Sequence, residues 1–218
     1  MTLFTYKTLN ERKDRILLSV AAVAISLYLA FSFTYFSASA QTVKDDVVRL
    51  HILANSDSEA DQGVKLKVRD ALLKTNAAIL EKGVTTKNAQ RYFEESKDVL
   101  LNTAEKTLKE NGFDYSVKIA LGTEYYKTRE YGDLTFPAGQ YTSLKVILGE
   151  GEGKNWWCVM FPPLCVPAAE GVQTDGEKAA DYLSESGEKV INGGNKYVIK
   201  FKFLEIYEEL RSKLGAEK

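Results

Sequence analysis

The 218-residue chain predicts an α+β fold: a single mixed or antiparallel sheet, one face covered by two consecutive helices, preceded by an N-terminal apolar helix. Three observations carry that prediction. Residues 16–36 hold no charged side chain, residues 59–111 place apolar residues at helical spacing in two segments parted by Gly83, and short β-type stretches begin at Val47, Tyr115, Tyr141 and Trp156.

The N-terminal helix comes first. Lys7, Arg12, Lys13 and Arg15 outweigh Glu11 and Asp14, and the uncharged run that follows spans about 31 Å as a helix, enough to cross a hydrocarbon core. The basic side stays in the cytoplasm. Ala38-Ser39-Ala40 offers the small residues at Ala38 and Ala40 that a signal peptidase accepts, with the cut after Ala40. The run is longer than most signal-peptide cores, so an uncleaved signal anchor is the alternative. Under either reading residues 41–218 lie outside the cytoplasmic membrane, where disulfides persist. Without residues 1–40 the chain carries about three excess negative charges, with both signs interspersed, and nothing calls for nucleic acid as a partner. The expected organisation is an export signal or anchor over 1–40, one α+β domain over 41–167, a polar linker over 168–195 and a strand-helix tail over 196–218.

Within the exported part, residues 41–46 read as a polar tether. Residues 47–54 alternate as a strand, with Val48, Leu50 and Ile52 on one face and Arg49 and His51 on the other. Asn55, Ser56, Asp57 and Ser58 suit a turn and a helix N-cap. The helix over 59–82 stripes Val64, Val68, Leu72, Thr75 and Ile79, and a second over 87–111, capped by Thr86, stripes Ala89, Phe93, Val99, Leu100, Ala104 and Leu108 before Gly112. Tyr115, Val117, Ile119 and Leu121 alternate as the next strand, and 125–131 reads as a more exposed one. Residues 141–148 form another, expected to pair as an antiparallel hairpin with 156–161 across the Gly/Glu loop 149–153. A short helix is expected over 177–184, and the tail reads as a strand over 197–203 followed by a helix.

The stretch 149–167 concentrates the unusual chemistry. Both tryptophans, both cysteines and two of the four prolines fall between Asn155 and Cys165. As a strand, 156–161 puts Trp157, Val159 and Phe161 on one face and Trp156, Cys158 and Met160 on the other. Cys158 and Cys165 would be about 23 Å apart if extended, so pairing requires the chain to fold back, for which Pro162-Pro163 supplies a bend. Closing so short a loop stabilises by roughly 2.5 kcal/mol, less strain. The oxidising compartment favours the disulfide over two reduced, buried thiols.

The sequence assembles no catalytic, cofactor or metal site. His51 is the only histidine, and with two cysteines it falls short of the four ligands of structural zinc. No G-x-S-x-G or G-x-G-x-x-G occurs, and the acidic glycine loop would repel phosphate. Pairing of His51 with Cys158 or Cys165 as a nucleophile would require free thiols. One tryptophan of the pair fills the interior and the other lies near the surface, or both are buried in a sheet covered on both faces. An exposed tryptophan beside Phe161, Pro162 and Pro163 would anchor a protein partner.

The run Arg49-Leu50-His51-Ile52-Leu53-Ala54-Asn55-Ser56-Asp57-Ser58, with Asp61-Gln62, Lys67-Val68-Arg69-Asp70, Phe136-Pro137-Ala138-Gly139-x-Tyr141 and the segment from Leu148 to Cys165, resembles stage II sporulation protein R of endospore-forming bacteria. The resemblance covers about residues 47–166. It implies a non-enzymatic protein made in the forespore and exported into the space between forespore and mother cell. There it would activate a membrane-embedded aspartic protease of the mother cell, which processes the precursor of an early sigma factor. Under this reading Trp156, Trp157, Phe161, Pro162 and Pro163 form the receptor-facing element or its direct support, with Asn55 and Asp57 as lesser candidates. The competing reading is a cell-envelope hydrolase or carbohydrate-binding module using the tryptophan pair as a sugar platform.

Overall fold

A computed structural model of the chain describes residues 11–80, 84–131, 134–163 and 183–215. It divides into two compact units, residues 1–38 and 39–218. The described part of the first is helix α1 (Glu11–Asp46), which continues into the second. Leu17, Leu18, Leu27 and Phe31 are exposed on it, and the stretch Asp14–Asp46 is long and apolar enough to cross a membrane.

Residues 41–46, expected as a tether, are instead the end of α1. Val43 and Lys44 are buried in the second unit, and Lys44 Nζ donates to Glu208 Oε1 at 2.7 Å. Burial of this pair holds the segment helical where a solvated tether would fray.

The second unit is built on a four-stranded sheet ordered β2-β5-β1-β6. The strands are β1 (Val48–Leu53), β2 (Val117–Tyr126), β5 (Gly139–Leu148) and β6 (Asn155–Phe161), with a separate antiparallel pair of β3 (Arg129–Tyr131) and β4 (Leu134–Phe136). β5 and β6 do not form the expected hairpin. β1 lies between them, parallel to β5 and antiparallel to β6. Five of its six residues are buried, and a strand apolar on one face and filled on the other takes a neighbour at each edge.

Helices α2 (Glu59–Leu80), α3 (Ala89–Glu95) and α4 (Lys97–Glu110) cover one face. Ser58 Oγ caps α2 by accepting from the Asp61 amide at 3.1 Å. The expected second helix is interrupted at Ser96, and the turn before it is held by Asn88 Oδ1 accepting from the Thr85 amide rather than by Thr86. Gly112, at φ 82°, ends α4 as its position predicts. Val64, Val68, Leu72, Phe93, Leu100, Ala104 and Leu108 pack on Val48, Leu50, Ile52, Leu144 and Val146. Phe93→Ala in this core is expected to cost about 3–5 kcal/mol in urea unfolding, whereas Val99→Ala on the exposed side of α4 stays within about 0.5 kcal/mol.

The C-terminal part also departs from its expected form. Of the short helix expected at 177–184, residues 177–182 lie outside the described residues, as does the linker over 168–182. The rest of that linker is packed structure: helix α5 (Glu185–Ile191), capped by Ser184, buries Val190 and Ile191. Residues 197–203, expected as a strand, belong to helix α6 (Gly194–Gly215). Their alternation of apolar side chains and lysines mimics a strand, but Phe201, Leu204 and Glu208 are buried together at helical spacing, and that stripe decides the conformation.

Candidate functional site

The turn 54–58 and the loop 149–154 are stitched together. The Glu150 amide donates to Asn55 Oδ1 (3.0 Å), the Gly153 amide to Ala54 O (2.9 Å) and the Lys154 amide to Asp57 Oδ1 (2.7 Å). Asn55 Nδ2 donates to Asp61 Oδ2 (3.0 Å), and Lys65 Nζ to Lys154 O (2.9 Å). Gly149, at φ 57°, turns the chain where a Cβ would meet Asn55. The Asn55 and Asp57 side chains therefore hold the loop that aims β6.

β6 carries the tryptophans to opposite faces. Val48 pairs with Phe161 but Arg49 with Val159, so Met160 is the extra residue of a bulge, and Asn76 Nδ2 donates to its carbonyl at 2.9 Å. The bulge corrects one expectation: Phe161 joins Trp156 and Cys158 in the helix-covered core, not Trp157 and Val159. Pro162 is buried and Pro163 exposed. Cys158 stands opposite Leu50, across the sheet from His51, which rules out a Cys158–His51 nucleophilic pair. Cys165 lies outside the described residues.

Both tryptophans are half-buried, in different settings. Trp156 packs on the core beneath the Arg69 guanidinium of α2, 4.4 Å from its ring centroid. Trp157 stacks on His51 at 3.5 Å and meets Tyr126 edge-on at 5.0 Å. With Tyr125, Tyr126, Lys127 and Arg129 it lines a recess of about 250 Å³.

Behind that recess lies a polar network the sequence reading did not assemble. His51 Nδ1 hydrogen-bonds Glu124 Oε2 at 3.0 Å and Nε2 the Asn155 side-chain oxygen at 2.7 Å. Ser143 Oγ donates to Glu124 Oε2 (2.7 Å), Lys145 Nζ lies 3.0 Å from Oε1, and Tyr126 shares a hydrogen bond with Ser143. Arg49, fully buried, lies over the rings of Tyr126 (4.4 Å) and Tyr141 (5.0 Å). One strand, β2, runs through residues 122–124 where two separate strands were expected and so carries Glu124 and Tyr126 to one face, and Ser143 and Lys145 reach Arg49 and His51 only in the parallel β1–β5 register. Among the described residues no three histidine, cysteine, aspartate or glutamate side chains converge as metal ligands. Ser143 donates to Glu124, which holds His51, and His51 stacks on Trp157, so the cluster braces that ring.

Burial alone would raise the Glu124 carboxyl, but hydrogen bonds from Ser143, Lys145 and His51 outweigh it and hold the pKa below its ordinary 4.5. Asp61 is likewise lowered from 3.8, its burial outweighed by Ser56, Asn55, Tyr115 and Ser58. Depressed carboxylates contribute stability that is present above their unfolded values and lost as pH falls through the folded ones. Thermal melts are therefore expected to hold level from about pH 7 to 5 and to decline below about pH 4, less steeply for Glu124→Gln.

Fold and site define a class: an α+β domain behind a helix long and apolar enough to cross a membrane, presenting an aromatic recess braced by buried polar groups. Residues 44–170 match the family model described as Stage II sporulation protein R, more than half of the chain, and the chain belongs to that family of sporulation signalling proteins. Over 123 residues it is 36% identical to Stage II sporulation protein R of Bacillus subtilis (strain 168), covering 56% of this chain and 55% of that protein. The chain thus matches about half the length of that curated relative. No solved structure matches. The matched region takes in the end of α1 and the whole sheet; α5 and α6 fall outside it.

Proposed function

We propose that this chain is exported by α1, as signal or anchor, into the space between forespore and mother cell, where it activates a membrane-embedded aspartic protease that processes an early sigma-factor precursor. The observation that carries the reading is Trp157, a half-buried tryptophan braced from behind by His51 and Tyr126 at a recess edged by Lys127 and Arg129. A rigid aromatic beside basic groups is what a protein partner with an acidic contact would engage. Activation is a population shift, the chain binding the protease's active arrangement more tightly than its inactive one. Cys158 and Cys165 are oxidised to a disulfide in this compartment. The test is binding of the full chain to the cognate protease in nanodiscs: saturable binding weakened by Lys127→Glu with Arg129→Glu supports the reading, and no binding to the folded protease refutes it.

A further inference from the structure

Helix α6 has two apolar stripes. Phe201 and Leu204 face inward with Glu208, while Ile199, Phe203, Ile206 and Leu210 follow one another on the opposite side at 72%, 62%, 48% and 56% exposure. Four large apolar residues in a continuous stripe exceed the scattered exposure of an ordinary surface. The charges around it are sorted. Lys200 and Arg211 border one edge of the stripe and Lys202 the other, where it also pairs with Glu205 at 3.2 Å. Of the acids, Glu208 is buried against Lys44 and Glu205 and Glu209 are half-buried; burial, then Glu209, Glu205 and Glu208, pushes the Tyr125 hydroxyl up to about 12. In a chain of net charge −1, α6 carries five basic and three acidic residues.

We infer that the outward stripe of α6 lies on an anionic bilayer surface, its apolar side chains in the headgroup boundary and its flanking basic residues on the lipid phosphates. With its inner stripe packed on the domain, the helix presents outward an apolar stripe with basic residues beside it, and long basic side chains reach to headgroups while their stems stay in apolar contact. The same chain holds a helix long and apolar enough to cross a bilayer, so it meets a membrane during export whether or not that helix is retained. The inference goes beyond the proposed function and does not depend on which protein the chain activates.

Hydroxyl-radical footprinting of the full chain in nanodiscs tests it, with exposed Val99 as the reference position. In discs containing one-third phosphatidylglycerol, oxidation of Phe203, Ile206 and Leu210 is expected to fall at least about fivefold relative to discs of phosphatidylcholine alone, and to recover in high salt, where headgroup attraction is screened. Lys200→Glu with Arg211→Glu, both on the helix surface, is expected to restore oxidation in the anionic discs. Oxidation unchanged by lipid overturns the inference, as does equal protection in neutral discs. Protection that grows with the number of chains per disc, without anionic lipid, overturns it in favour of a second copy of the chain.

Discussion

Trp157→Ala is expected to lower the chain's apparent affinity for the proposed protease receptor about 30-fold or more while leaving a folded protein. Loss of a hot-spot tryptophan costs about 2 kcal/mol or more of binding, and each 1.4 kcal/mol is tenfold. The side chain is half-buried, so its removal also forfeits the stack on His51 and the edge contact with Tyr126, about 2 kcal/mol of stability. A domain of this size tolerates such a loss. Trp156→Ala is the matched comparison. It removes core packing and the cation–π contact with Arg69, so it costs comparable stability but leaves the recess intact and signalling within a few-fold of the parent. Melting temperature and binding, measured on both variants, separate the two roles.

Gly153→Ala is expected to destabilise the chain by about 3 kcal/mol, a fall in Tm on the order of 10 °C. A Cβ there would sit 2.2 Å from the Ser56 carbonyl oxygen and 2.6 Å from its carbon, backbone atoms that no side-chain rotation can move. Relief requires the loop to lift from the turn, breaking the Gly153–Ala54 and Lys154–Asp57 hydrogen bonds that aim β6. Signalling should fall with stability, because the Trp157 face is held by the same loop. Gly122→Ala, with nothing within 4 Å of the new methyl, is expected to leave Tm nearly unchanged. Calorimetry of the two variants provides the check.

Local pattern carried the α+β class, α2, the strand at β1 and the interest of the Trp-Trp-Cys segment, because periodicity and capping are written in neighbouring residues. Strand order was not legible. The Gly/Glu loop reads as a hairpin turn, and only the burial of both faces of Val48–Leu53 shows that β1 must enter between β5 and β6. That one misplacement hid the network of Glu124, Ser143 and Lys145 around His51, since strands distant in sequence supply those groups. The bulge at Met160 was equally hidden: strict alternation put Phe161 beside Trp157, whereas one extra residue turns it to the core. In the tail, lysines between aromatic and β-branched residues imitate a strand, and Phe201, Leu204 and Glu208 need their packing partners, Lys44 among them, before the helix is evident. Asn55 and Asp57 read as turn and cap residues and as lesser receptor-facing candidates; their side-chain oxygens accept from the loop amides of Glu150 and Lys154, a long-range pairing that local pattern does not show.

The most direct test of the account is sigma-precursor cleavage in a non-sporulating host expressing the cognate protease and precursor, with the chain omitted, exported intact, or exported as Trp156→Ala or Trp157→Ala. Cleavage is expected with the intact chain and with Trp156→Ala, and little or none without the chain or with folded, exported Trp157→Ala. Cleavage that proceeds without the chain would contradict the signalling role, and full cleavage with Trp157→Ala would contradict the assignment of its face to the receptor.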